Sequence, residues 1–316
     1  MNRLYQCPVC SCPSTAIASQ AGSTLYSCKS CKHSFVDPFP SNHELTQYYS
    51  GFSWRRPSEQ LTSGDIAQLK VRGKTLLHHL LPPACDYRTY TIFDYGCGVG
   101  LECLAFSLNG ANVYGSDCDQ EALSIARTIS PSTRFFHQDN IPDNILGTFD
   151  LVWSSHVIEH FSSPYNLLKA AHLLLKPGGI ICLLTPNAQS LEFFFRLDLI
   201  SNYFFKPTLT YSLGSLANIT KRSWIYLDPP RHLNIFSAES LRILCEKDFK
   251  VVSIHSEYSP EALFNLKSPF NYSMVRLASV LKIAKNIPLH TIYSLLKRID
   301  HRRIHGDSLV AILKKQ

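Results

Sequence analysis

The stretch TIFDYGCGVG, residues 91–100, constrains this chain more than any other. An apolar, β-prone run leads into three glycines at alternate positions, Gly96, Gly98 and Gly100, and LECLAFSLNG leads out with a helix-compatible pattern. Strand, glycine turn and helix together make the local shape of a nucleotide site, because a turn without side chains lets a ligand touch the backbone. The spacing is not the dinucleotide pattern. G-x-G-x-x-G needs glycine at 101, where this chain has Leu101.

The following segments extend the pattern. ANVYGSDCDQEALSIA reads as a second strand from Asn112 to Gly115, ending in Asp117, with a helix starting near Asp119. A carboxylate at the tip of the second strand is placed to accept both ribose hydroxyls of an adenosine. The other reading of Asp117 is a helix N-cap, a role that Asp119 fits better. TRFFHQDNIPD reads as a third strand with Asp139 just past its end, where an acidic side chain can accept from an adenine amino group. TFDLVWSSHVIEHF is a fourth strand running into a polar turn and helix, and HLLLKPGGIICLLTP is a helix, a Gly-Gly turn and a fifth strand. This alternation predicts an α/β fold with a mostly parallel sheet and ligands at its carboxyl edge.

The first forty residues carry a different signal. CPVC at Cys7 and Cys10 is followed by CKSC at Cys28 and Cys31. Each pair forms a tight knuckle that points two thiolates at one ion, and four thiolates close a tetrahedron; this is the ligand layout of a zinc ribbon. A closed site leaves no open position, so the zinc is structural. The intervening segment is too polar to fold around a core of its own, and a metal supplies the missing stability. Cys12 and His33 lie close enough to compete as ligands and are read as bystanders. VDPFPS is a Pro-rich exit, and residues 41–90 read as a helical linker. Its strongest helix is DIAQLKVRGKTLLHHLLP, stopped by Pro82-Pro83.

Bulk properties limit the partners. Hydrophobic residues make 45% and charged residues 17% of 316, a globular composition. The formal charge of +7 sits in residues 261–316, with ten Lys/Arg against three Asp/Glu; the rest holds 21 of each. The main body is therefore no basic nucleic-acid binder, and residues 1–40 carry only Arg3, Lys29 and Lys32 against Asp37. MNRLYQCPVC lacks an apolar core of signal-peptide length, and no uninterrupted apolar run spans a bilayer. A cytoplasmic location is expected, where cysteines are thiols or metal ligands.

FDYGCGVG, VYGSD, FDLVWSSHVIEHF and LKPGGIICLLTP, in this order and spacing, resemble the class I S-adenosylmethionine-dependent methyltransferases. They are most similar to the branch that includes the ubiquinone-pathway O-methyltransferases. LDPPRHLNIFSAESLRIL looks like a motif of bacterial relatives in that branch, many of which also carry an N-terminal zinc ribbon. The resemblance implies a Rossmann-like seven-stranded sheet, mostly parallel. FKVVSIHSEY would be its sixth strand and SLVAILKK its antiparallel seventh. It implies that Gly96 and Gly98 line the methionine part of the cofactor with Asp94 behind them. Asp117 would take the ribose and Asp139 the adenine amino group, while Ser154, Ser155 and His156 cover the cofactor. The organisation expected is a ribbon over 1–40, a linker over 41–90 and a methyltransferase domain over 91–316. That domain departs from the family pattern by a lid insertion at 187–235, aromatic over 190–226, and a basic helical insertion at 259–305.

Methyl transfer from a sulfonium needs an aligned nucleophile and, for a hydroxyl acceptor, a proton acceptor. The histidine candidates at the carboxyl edge are His156, His160 and His232, with His160 and His232 preferred as catalytic. His160 is equally readable as a framework residue, and His156 as packing on the cofactor. Arg231 is placed to hold an anionic acceptor group, or else to pair with a carboxylate such as Asp228. The expected acceptor is a small molecule or sugar/glycan precursor, methylated at oxygen. The turn that marks base methylation is absent after the fourth strand, where the chain reads WSSH, which weighs against an RNA acceptor. A non-catalytic binding module is the third reading. Finally, Leu289, Ile292, Tyr293, Leu296 and Ile299 fall on one helical face opposite His290, Lys297 and Arg298. This pattern fits either packing on the protein itself or peripheral contact with anionic membrane through residues 270–305.

Overall fold

A computed structural model of the chain describes residues 5–20, 23–41, 43–45, 48, 61–82, 86–190, 231–257, 306 and 308–316. Two compact units result. The first takes Met1–Pro38, Pro186–Ser240 and His255–Leu309, and the second takes Phe39–Thr185, Leu241–Ile254 and Val310–Gln316.

The first unit carries a five-stranded sheet. Strands β1 (Tyr5–Gln6), β2 (Pro13–Gln20), β3 (Ser23–Cys28) and β4 (Ser34–Asp37) follow one another as an antiparallel meander. The fifth strand, β10 (Asn234–Ile235), comes from far along the chain and pairs antiparallel with β4, Asn234 facing Phe35 and Ile235 facing Ser34. These residues, read from sequence as the end of a lid insertion, take part in the sheet that bears the cysteine knuckles. Side-chain bonds explain the attachment. Asn234 Oδ1 lies 3.2 Å from His33 Nε2, Ser237 Oγ donates to the Cys31 carbonyl at 2.7 Å, and the Phe236 ring packs on His33 at 4.8 Å.

The seven-stranded sheet runs in the order β11 (Phe249–Glu257), β12 (Ser308–Lys315), β9 (Leu175–Pro186), β8 (Phe149–Ser155), β5 (Thr91–Tyr95), β6 (Asn112–Asp117), β7 (Arg134–His137). β7, β6, β5, β8 and β9 are parallel, and the final strand is antiparallel. The central strands are apolar on both faces, as a sheet covered by helices demands. Ile92, Phe93, Leu151 and Val152 are all fully buried. Helix Gln120–Ile129 turns Ala122, Leu123 and Ala126 inward, and Asp119 caps it through the amides of Glu121 and Ala122. This is the Rossmann-like architecture expected.

The helix Ser63–Leu80 falls in the same unit as strands β5 to β8. It comes so close to helix Leu101–Ser107 that a Cβ on Gly73 would lie 2.0 Å from the Ala105 carbonyl oxygen. Lys176-Pro177-Gly178-Gly179 interrupts β9, whose pairing jumps from Phe149–Leu175 to Leu151–Ile180, with Gly178 at φ +77°. The polar turn after the fourth strand is the 3-10 turn Ile158–His160, which His160 closes, and the helix proper, Tyr165–Leu174, begins after Pro164. The aromatic core of the lid and the basic insertion at 259–305 lie outside the described residues, and with them the membrane-contact reading. Among the described residues, no helix is long and apolar enough to cross a membrane.

Candidate functional site

Parallel pairing brings the ends of β5, β6 and β8 to one edge. Tyr95 sits beside Ser116, and the amides of Gly96 and Cys97 both donate to the Ser116 carbonyl, at 2.8 and 2.9 Å. This fixes the start of the glycine turn. Gly96 has φ +81°, and a Cβ there would strike Val157 Cγ2 at 2.3 Å, so the segment after β8 lies directly against the turn. The Ser154 hydroxyl donates to the Tyr95 carbonyl at 3.1 Å and ties β8 to the end of β5.

Asp117 ends β6 almost fully buried. Its Oδ2 accepts the Gly98 amide at 2.7 Å and its Oδ1 the Asp119 amide at 2.9 Å. Each carboxylate oxygen thus spends one lone pair on the backbone and keeps another for a ligand. Asp94 is buried behind the turn and accepts the Cys103 thiol at 3.3 Å. Burial pushes its carboxyl well above the usual range, and the nearby Glu102 charge adds to this. Asp139 is exposed in the 3-10 turn Gln138–Asn140 that follows β7. Burial raises the Tyr95 phenol to about 12, with the charges of Asp139 and Cys118 adding.

Ser155 ends β8. His156 follows with φ +56°, a left-handed conformation uncommon for a residue with a Cβ. Its amide donates to the Leu184 carbonyl at 2.9 Å, and its Nδ1 lies 3.2 Å from Glu159 Oε1. Glu159 is fully buried, and its Oε2 accepts the Thr185 hydroxyl at 3.1 Å. Asp94, Gly96, Gly98, Asp117, Asp139, Ser155, His156 and His160 therefore gather at the carboxyl edge of one sheet. Arg231 and His232 belong to the other unit, with Arg231 Nη2 3.5 Å from His232 Nδ1. Sequence reasoning missed Cys103, Val157, Glu159 and Thr185. Glu159 carried a signal, an acid three residues after a histidine in a turn; Thr185, 26 residues on, carried none.

In the first unit, the sulfurs of Cys7, Cys10, Cys28 and Cys31 all lie within 4.8 Å of one another. Cys7–Cys31 and Cys10–Cys28 are 3.6 and 3.5 Å apart. A zinc–sulfur bond of about 2.3 Å gives a tetrahedral edge of about 3.8 Å, so the four thiols suit such an ion. The hydrogen bond with Cys31 holds the Cys7 thiol down at about 5, and that contact raises Cys31 in turn. His33 is outside the cluster. Burial lowers it to about 4, a neutral ring held by Asn234.

The family described as a methyltransferase domain matches residues 67–254. Ubiquinone biosynthesis O-methyltransferases of Pseudomonas paraeruginosa (strain PA7) and Pseudomonas aeruginosa (strain UCBPP-PA14) are each 28% identical over 150 residues, 46% of this chain and 62% of theirs. That of Sodalis glossinidius is 30% identical over 125 residues, 35% of this chain and 50% of its own. The chain thus spans less than two thirds of the length of these relatives. A solved S-adenosylmethionine dependent methyltransferase from Mesorhizobium loti matches with a TM-score of 0.45 at 17% identity, over 77% of this chain and 98% of its own.

Proposed function

The chain belongs to the methyltransferase domain family, and from that premise we propose that it moves a methyl group from S-adenosylmethionine to a hydroxyl of a small-molecule or sugar/glycan-precursor acceptor. The observation that carries this reading is the Asp117–Gly98 bond. It joins a buried acceptor carboxylate to the glycine turn, the pair of groups an adenosine and its methionine tail require. Asp117 would accept the ribose hydroxyls, Gly96 and Gly98 with Asp94 behind them would border the methionine part, Asp139 would meet the adenine amino group, and Ser155 and His156 would cover the cofactor.

The cofactor, when bound, supplies a methyl group already activated on a sulfonium. The chain's own work is alignment, exclusion of water and removal of the acceptor proton. That proton goes to a histidine of the set His156, His160 and His232, and Arg231 offers a planar donor to an anionic acceptor group. The four cysteines hold a structural zinc. A lipid-linked acceptor would suit the basic run 270–305, whose binding to anionic vesicles in a flotation assay is the check.

Calorimetry with S-adenosylmethionine tests the central claim. The protein binds it in preference to NAD, and Asp117→Ala weakens binding by about 1.5–3 kcal/mol through the loss of charge-assisted bonds. Unchanged affinity in the variant would put the ribose carboxylate elsewhere.

A further inference from the structure

Beside the acids assigned to ribose and adenine stands a histidine that the methyl-transfer reading leaves without a role. His137 ends β7, and in the parallel ladder it lies next to Asp117 at the end of β6. Its Nε2 is 3.0 Å from the carbonyl oxygen of Cys118, the residue after Asp117. Its Nδ1 accepts the Asp139 amide at 3.4 Å, which makes His137 the cap of the 3-10 turn Gln138–Asn140. A carbonyl oxygen only accepts and an amide N–H only donates, so both contacts form in one state of the ring: Nε2 carries the proton and Nδ1 is bare. The ring thus spans the two loops that follow β6 and β7. The Asp117 side is fixed already, since its carboxylate takes the amides of Gly98 and Asp119. The Asp139 side chain is 85% exposed, against 22% for His137, and its Oδ2 lies 3.6 Å from Nδ1. A bare Nδ1 offers that carboxylate only a lone pair. It therefore binds the Asp139 amide and leaves the carboxylate for a donor on a ligand.

We propose that His137 is a positioning residue that sets Asp139 for the adenine amino group. Nδ1 holds the turn that carries the acid, and the Cys118 carbonyl, by keeping the proton on Nε2, keeps Nδ1 bare. The inference rests on the S-adenosylmethionine reading and deepens it, giving selectivity for adenine to a ring that acts through Asp139. The physical need is preorganisation. A three-residue 3-10 turn has few hydrogen bonds of its own, and an exposed acid on it must otherwise be ordered at the moment of binding. A cap supplied by the strand end orders the turn beforehand, and the same ring ties it to the loop after the ribose acid.

The test is calorimetry on the full chain with two probes, S-adenosylhomocysteine and its analogue with hydrogen in place of the 6-amino group. The wild type binds the first at least about tenfold more tightly, the worth of one charge-assisted hydrogen bond. His137→Ala cuts that ratio several-fold. His137→Asn keeps it, because an asparagine oxygen caps the turn in place of Nδ1 even though the contact with Cys118 is lost. His137→Gln, which keeps a donor for Cys118 but no cap, loses the ratio as alanine does and replaces it if the alanine variant fails to fold. A merely structural histidine would weaken both probes alike and leave the ratio unmoved. The proposal is overturned if the alanine and glutamine variants keep the wild-type ratio, if asparagine loses it as fully as they do, or if the wild type binds both probes equally. Those outcomes leave the S-adenosylmethionine reading standing. Binding of neither probe to the wild type defeats that reading and this proposal with it.

Discussion

Gly96 and Gly147 share a left-handed backbone, with φ of +81° and +71°, yet substitution should affect them differently. A Cβ at Gly147 meets nothing within 4 Å, so Gly147→Ala costs only the backbone penalty of about 1–2 kcal/mol. At Gly96 the same Cβ strikes Val157 and must displace the segment that carries His156. Gly96→Ala should therefore lower the melting temperature further than Gly147→Ala and, unlike it, weaken cofactor binding. Equal melting shifts would mean that Val157 yields easily. Asp94 makes a pH-dependent prediction. Burial raises its folded pKa above the unfolded value of 3.8. The protonated form is therefore the one the fold favours. Its contribution is complete below the unfolded pKa and is lost as pH rises through the folded one. Asparagine is neutral throughout and still accepts the Cys103 thiol. Cofactor-free Asp94→Asn should melt progressively higher than the wild type as pH rises from about 4. Parallel melting curves across that range would refute the raised pKa.

At the scale of elements, helix Ser63–Leu80 shows what local chemistry alone can specify. Thr62 and Asp65 form a reciprocal capping box at its start, and Leu81 precedes the Pro82-Pro83 stop. Thr62→Ala should cost about 1 kcal/mol in equilibrium unfolding, the usual worth of such a cap, with no change in cofactor affinity. A loss under a few tenths would show that Gly73 packing, not the cap, sets the helix start. The strands were legible for the same local reason: continuous apolar runs at β5 and β8, and an acid ending β6. Lys176-Pro177-Gly178-Gly179 reads as a turn by composition, and these four residues do interrupt the pairing of β9 with β8. The segment after β8 was less legible, because it depends on distant partners: it looks helical until Glu159 is drawn inward to Thr185 and His156. There tertiary hydrogen bonding overrode a sound local preference.

For the whole molecule, the mostly parallel sheet followed from the motif order, because strands that alternate with helices pair in parallel. The cysteine cluster was legible from spacing alone. The attachment of β10 to the ribbon sheet was not, since His33 and Asn234 are separated by 201 residues and neither is unusual where it stands. That attachment has a consequence for the metal. Ser237 bonds to the carbonyl of Cys31, one of the four proposed ligands, and the Val36 amide donates to the Leu233 carbonyl at 3.1 Å. In a polar ribbon the metal's binding energy is folding energy, so losing it should release whatever the ribbon sheet holds. The purified protein should carry about one zinc per chain, and Cys28→Ser should carry markedly less. On chelation, hydrogen exchange should accelerate together at residues 34–36 and 233–236, while amides of β5 and β8 keep their protection. If residues 233–236 stay protected after the metal is gone, β10 is held by its own apolar burial, and the ribbon is not what secures it.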